Sequence, residues 1–146
     1  MPPRKDRRHR AREAALQILY HGEVGGRDPA EAAATFFAHQ WPDREPPSRE
    51  LRAFATDLAG DTIGRLSSID PLIAETTDRW RPERMAVLDR LIIRMAVCEM
   101  MRGEAPPPAV VINEALELAR TFSGEESVKF INGMLDAIRK KLDAAR

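Results

Sequence analysis

Apolar side chains recur at every third or fourth position through most of this chain, and this spacing decides the fold class. The clearest segment runs from Pro82 to Arg102, with an apolar stripe of Met85, Leu88, Ile92, Met95 and Cys98. At about 100° per residue, such a stripe stays on one face of an α-helix. No segment alternates apolar and polar residues between hairpin turns, as β-strands would. The sequence therefore predicts an all-α protein, with this segment as a central, largely buried helix.

Capping residues and helix breakers divide the rest of the chain into further helices. Asp28 and Ser48 are good N-caps, Pro29 suits a first helical turn, and Gly103 is a typical stop. Asp70 followed by Pro71 repeats the cap-plus-proline pattern and predicts a short fourth helix that ends before Trp80. Seven helices are expected, at about 8–21, 29–40, 49–66, 71–79, 82–102, 109–122 and 125–142.

The break before Trp80 is the predicted boundary between two small helical bundles. The chain is expected to form one domain over 1–146, with an N-terminal bundle at about 1–79 and a C-terminal bundle at about 80–146. Its 146 residues are enough to bury a core without a disulfide or a structural metal. The single cysteine, Cys98, excludes an intramolecular disulfide and fits a reducing cytoplasm.

Charge is balanced overall but uneven along the chain. The 23 basic and 23 acidic side chains give a net charge of zero, yet six basic residues and a single acidic one fall within the first dozen positions. This basic cluster comprises Arg4, Lys5, Arg7, Arg8, Arg10 and Arg12. A polyanion could bind there, because phosphate contacts release counterions and guanidinium groups stack on unpaired bases. The alternative is a solvated basic tail that keeps the protein soluble.

Several function classes have no supporting motif. The charged start lacks the apolar core of a signal peptide, and no apolar run is long enough for a membrane span. The three histidines are dispersed without helical metal-ligand spacing, so no metal or cofactor is expected. There is no G-x-S-x-G, Walker A or dinucleotide-binding motif. We therefore expect a cytoplasmic protein that is not an enzyme.

Three stretches resemble the NusB family. They are RRHRAREAALQILY at 7–20, VLDRLIIRMAVCEMM at 87–101 and VVINEALELARTFSGEESVKFINGML at 110–135. The third is the most specific, since INEALELA followed by KFINGML is improbable as a chance amphipathic pattern. The resemblance implies two helical bundles packed across one another. It also implies a transcription antitermination factor that binds boxA-type RNA together with NusE, a ribosomal protein that doubles as a transcription factor. Such a factor would act in the transcription elongation complex and support ribosomal RNA synthesis.

The resemblance also implies where RNA would bind. It favours an RNA-binding role for Arg7, Arg8, Arg10 and Arg12. Tyr20 could stack on a base or could equally be a core residue. The resemblance assigns RNA contact to Lys129 and Phe130, whereas the sequence alone favours packing for Phe130.

Four further residues are candidates for partner contact. Asp89, Arg90 and Arg94 lie on a helix otherwise rich in apolar residues, with Arg90 and Arg94 on an edge expected to be exposed. Partner docking and simple solvation remain equally open for them. Glu126 would repel phosphate near a helix N-terminus, so a position at the rim of the RNA site or contact with a partner is the better interpretation. The alternative function is a helical protein-interaction module without its own specific RNA site.

Overall fold

The computed structural model describes residues 4–104 and 106–145, with side chains from Arg7 onward, so the side chains of Arg4 and Lys5 lie outside the description. Within these residues there are seven α-helices and no strand, which confirms the all-α prediction. The helices are α1 (Arg4–Gly25), α2 (Pro29–Thr35), α3 (Arg49–Gly64), α4 (Leu66–Thr76), α5 (Val87–Arg102), α6 (Pro108–Phe122) and α7 (Glu125–Ala144). No helix in the described ranges is long and apolar enough to span a membrane.

The chain divides into two compact units, with the boundary between Ile63 and Gly64. In the first unit, α1 packs against α2 and the single π-helical turn Phe36–Gln40 that follows it. The predicted apolar face of α1 is buried, including Ala15, Ile18 and Leu19. The helix extends beyond the predicted range at both ends and stops before Gly26, whose φ of +65° only glycine adopts at low cost.

The two predicted N-caps of the first unit are correct. The carboxylate of Asp28 accepts a hydrogen bond from the backbone N–H of Glu31 at 2.9 Å, with Pro29 in the first turn of α2. Ser48 Oγ accepts one from the backbone N–H of Leu51 at 3.1 Å. Both side chains satisfy donors that a helix start leaves unpaired. These caps set where α2 and α3 begin.

The second unit is built on α5, which packs against α4, α6 and α7. Its middle is almost wholly buried, with Ile92, Ile93, Val97 and Cys98 fully inaccessible, as predicted for a central helix. The helix starts at Val87, and the predicted first turn is instead a separate 3₁₀ turn at Pro82–Arg84. It ends at Arg102, and Gly103, with a φ of +70°, terminates it as predicted.

The prediction for the fourth helix was wrong at its start. Asp70 does not cap a helix, because α4 already begins at Leu66 and Pro71 lies inside it. The carbonyl oxygen of Arg65 accepts the N–H groups of both Ser68 (2.9 Å) and Ile69 (2.8 Å), which closes the first turn without a side-chain cap. Pro71 has no backbone N–H, so its place inside the helix removes a single backbone hydrogen bond. Since α4 packs against α5 and α7, the unit boundary lies before it and not near residues 79 and 80 as predicted.

Candidate nucleic-acid interface

The arginines of the basic cluster differ in accessibility because α1 rotates them around its axis. Arg8 is exposed, and Arg7 and Arg10 are partly exposed. Arg12, by contrast, is only 4% exposed. Three of the four predicted RNA-binding arginines can therefore meet a ligand directly, whereas the fourth is an interior side chain.

Phe54 of α3 joins two of these arginines. The guanidinium carbon of Arg8 lies 4.4 Å from the centre of its ring, and that of Arg12 lies 5.3 Å away. A cation over an aromatic face is attracted by the negative electrostatic potential of the ring face, and the contact restricts its conformational freedom. Phe54 was not among the candidate site residues. Its position in the sequence does not show whether the ring packs into the core or contacts arginine side chains.

Arg10 is held by a different set of contacts. Its guanidinium lies 5.5 Å from the ring centre of Trp41, forms an ion pair with Asp43 and lies 4.0 Å from the carboxylate of Glu13. Trp41 is fixed in turn by a hydrogen bond from its indole N–H to the carbonyl oxygen of Glu45 at 2.8 Å. The segment after the π-helical turn thus brings both a ring and a carboxylate to Arg10.

Tyr20 lies farther along α1, on the exposed side of the helix. It is 36% exposed, and its ring centre is 5.8 Å from that of His21. Of the two roles considered for it, a core position is excluded by this exposure. The ring is available to stack on an unpaired base.

Lys129 and Phe130 belong to the second unit, in the early turns of α7. Lys129 is exposed and Phe130 is partly buried. Glu125 and Glu126 occupy the first turn of the same helix, where carboxylates interact favourably with the helix dipole. These carboxylates offset part of the positive potential that Lys129 contributes.

The predicted partner-binding edge of α5 is not an exposed edge. Arg94 is 11% exposed at its side chain and donates two hydrogen bonds to Asp70, at 3.0 and 2.8 Å, with its guanidinium 5.6 Å from the ring centre of Trp80. A paired, largely buried guanidinium stabilises the fold of its own unit. The expectation of exposure for Arg94 was therefore wrong, because Asp70 is an ion-pair partner and not a helix cap.

Asp89 also has partners within its own unit. Ser123 Oγ donates to one of its carboxylate oxygens at 2.8 Å, and Ser127 Oγ donates to the other at 2.9 Å. Asp89 thus ties α5 to the turn between α6 and α7. Arg90 is partly buried beside it. Glu126 is exposed and is the most accessible of the four partner candidates.

The sequence matches one family model, described as the NusB family, over residues 9–140. A transcription antitermination protein NusB from Koribacter versatilis (strain Ellin345) is 44% identical over 139 residues, which are 95% of this chain and 92% of the relative. The corresponding protein from Solibacter usitatus (strain Ellin6076) is also 44% identical, over 92% of this chain and 90% of its own length.

Solved structures share the fold. NusB from T. maritima superposes with a TM-score of 0.77 at 30% identity, covering 91% of this chain and 90% of that one. A crystal structure of the antitermination factors NusB and NusE in complex with double-stranded RNA superposes with a TM-score of 0.77 at 23% identity. The latter covers 93% of this chain and 98% of the matched chain, and at that identity it supports the fold alone.

Proposed function

Since the chain belongs to the NusB family, we propose that it is a transcription antitermination factor that binds single-stranded boxA-type RNA together with NusE. In this role it acts by binding, without catalysis, within the transcription elongation complex that makes ribosomal RNA in the cytoplasm. The proposal is supported by relatives that carry the antitermination name over nearly the whole chain. The structure of NusB and NusE with double-stranded RNA supports only the fold on which this proposal is built.

The observation that carries the RNA-binding part is the set of arginines on α1 that lie over aromatic rings. Arg8 over Phe54 and Arg10 over Trp41 keep partly exposed N–H donors in defined places. Because the rings already restrict these side chains, less conformational entropy is lost when a phosphate binds. We assign phosphate contact to Arg7, Arg8 and Arg10, and we assign Arg12 to supporting Phe54 from the interior.

Three further residues are proposed RNA contacts, one in the first unit and two in the second. Tyr20 offers an exposed ring for base stacking, which is typically worth about 1–3 kcal/mol per base. Lys129 offers an exposed cation on α7, and Phe130 a partly accessible ring next to it. We propose that these side chains contact other nucleotides of the same RNA.

For NusE, the proposed contacts centre on Glu126. It is exposed, and its charge disfavours phosphate, so a basic protein surface suits it better. Arg90 remains a candidate from the partly accessible edge of α5. Asp89 and Arg94 already have partners within the chain, and we propose that they support this surface by positioning α5.

The experiment is a titration of fluorescently labelled boxA-like RNA at several salt concentrations, with and without NusE. A scrambled RNA of equal length and a duplex of the same sequence serve as competitors. We expect selective binding to the boxA-like strand, strengthened by NusE, because the two proteins and the RNA would share contacts and their binding free energies would be coupled. The variant Arg7→Ala/Arg8→Ala should bind more weakly, with a shallower salt dependence.

Lys140→Ala is the matched control, since it removes an exposed cation from the far end of α7, in the second unit. It should leave RNA affinity close to that of the unsubstituted chain. Equal, salt-labile binding to boxA-like and scrambled RNA would contradict the proposal. So would unchanged affinity in the double arginine variant, and the chain would then be a protein-interaction module without a specific RNA site.

A further inference from the structure

A groove of about 350 Å³ lies between the first turns of α1 and α3. Arg7 and Arg8 line it from α1, and Ser48, Glu50 and Phe54 line it from α3. Its volume falls within the range of about 300–1,000 Å³ that is usual for small-ligand sites. A single nucleotide therefore fits its scale, whereas a helix of a partner protein does not.

The groove is lined by side chains of both charges. Arg7 Nε is buried and has no hydrogen-bond partner within the described part of the chain. The carboxylate of Glu50 is exposed and makes no hydrogen bond or ion pair with any described residue. Buried polar atoms of native proteins are normally paired, and this Nε is one that the described part of the chain leaves unpaired.

A ligand for this groove must bring an anion and N–H donors together. A bare anion would satisfy Arg7 and Arg8, but Glu50 would repel it. An unpaired nucleotide meets both requirements, because its phosphate accepts from guanidinium groups and its base edge donates to a carboxylate. The guanidinium of Arg8 is already held against Phe54, so its other face can serve as a stacking surface for the base.

A carboxylate can also discriminate among bases by the donors that it accepts. Guanine presents two adjacent donors, N1–H and N2–H, on its Watson–Crick edge, and a carboxylate can accept both at once. Adenine and cytosine present one amino group there, and uracil presents one imino group. Ser48 Oγ already accepts from the backbone N–H of Leu51 at 3.1 Å, and its own proton remains to be donated to a carbonyl oxygen such as guanine O6.

We propose that this groove binds one unpaired guanine nucleotide, with its phosphate on Arg7 and Arg8 and its Watson–Crick edge on Glu50. The inference rests on the proposed RNA-binding function and adds a base preference to it. Glu50 determines the specificity, and Arg7 and Arg8 supply affinity that is independent of sequence.

The test is fluorescence anisotropy of the full chain with four labelled pentanucleotides: rUUGUU, rUUAUU, rUUCUU and rUUUUU. We expect rUUGUU to bind at least about fivefold more tightly than the others, since a bidentate base contact ordinarily discriminates by that much or more. Glu50→Ala should reduce the preference to less than about twofold. Affinity for rUUUUU should not fall in this variant, because the phosphate contacts remain and a negative charge has been removed.

Glu31→Ala is the control, because Glu31 is also an exposed carboxylate in a helix first turn of the same unit. It should keep the full preference for rUUGUU. Circular dichroism and the urea midpoint of both variants show whether α2 and α3 remain folded. A preference that is absent from the unsubstituted chain, or that survives Glu50→Ala in the folded variant, would overturn the proposal.

The outcomes separate this inference from the function on which it rests. Selective boxA binding together with equal affinity for all four pentanucleotides would reject the guanine site and leave the antitermination proposal standing. Absence of binding to every pentanucleotide and to the boxA-like RNA would reject both.

Discussion

Arg8→Ala and Arg12→Ala should have different effects, although both arginines belong to the same basic cluster. Arg12 is 4% exposed and lies 5.3 Å from the ring centre of Phe54, whereas Arg8 is exposed over the same ring. A ligand can reach Arg8 directly, but it cannot reach Arg12 without opening the structure. We therefore predict that Arg8→Ala weakens RNA binding and that Arg12→Ala lowers the stability of the fold.

The magnitude for Arg12→Ala follows from what is buried. The substitution removes two buried methylene groups, at about 0.8 kcal/mol each. It also removes a desolvated cation–ring contact, worth about 2 kcal/mol. Relief of the desolvation cost of the charge offsets part of this sum, so we expect a loss of about 2–3 kcal/mol in the free energy of unfolding. Arg8→Ala gives up only an exposed cation–ring contact, at about 0.5–1 kcal/mol.

The assays are urea denaturation followed by circular dichroism, and RNA titration at four salt concentrations. Arg8→Ala should reduce the slope of log K against log salt by about 0.7, the value for one phosphate contact on a single strand. Arg12→Ala should shift the urea midpoint downward, and the protein that remains folded should keep the original salt slope. An Arg12→Ala variant with an unchanged urea midpoint and a salt slope lowered as in Arg8→Ala would refute the interior role of Arg12.

Three further predictions concern carboxylates. Asp43→Asn should raise RNA affinity by about two- to fivefold in the same titration, because the exposed ion pair on Arg10 competes with phosphate and such pairs are worth up to about 1 kcal/mol. Asp70→Asn should lower the free energy of unfolding by about 1–3 kcal/mol in urea, because the largely buried guanidinium of α5 then loses a charged partner. Hydrogen bonds from Arg139 and a neighbouring lysine lower the pKa of Asp136 below its ordinary value of 3.8. The stability that the charged carboxylate contributes should therefore be lost as pH falls through the folded pKa. An NMR titration of this carboxylate measures that folded pKa.

Most of the fold follows from local signals in the sequence. Asp28 and Ser48 each satisfy a backbone donor three residues ahead, and Gly103 adopts the φ that ends α5. These are interactions between near neighbours, which sequence spacing specifies directly. The prediction failed at Asp70, where the same cap-plus-proline pattern occurs but the carboxylate pairs with Arg94, 24 positions away. A local pattern cannot show when a distant guanidinium competes for the same oxygens.

The candidate site was harder to predict for the same reason. The arginines of α1 were identifiable from their density in the sequence, but their exposure was not. Arg12 is buried, and Phe54, some forty positions later, is the ring that it shares with Arg8. The role of Phe54 depends on how α3 packs against α1. An apolar stripe in the sequence does not show whether another helix or arginine side chains will cover it.

The acidic residues around the arginines resolve an apparent conflict between a net charge of zero and RNA binding. A surface of unpaired arginines would hold any polyanion, with little preference among sequences. Asp43 on Arg10 and Glu50 in the groove beside Arg7 each impose a cost on phosphate that a suitable ligand must offset. In the proposed site, an RNA offsets this energetic cost only where its base donors hydrogen-bond to Glu50 and its phosphates displace Asp43. Acidic side chains in a basic site therefore lower the overall affinity and raise the difference between the correct RNA and its competitors.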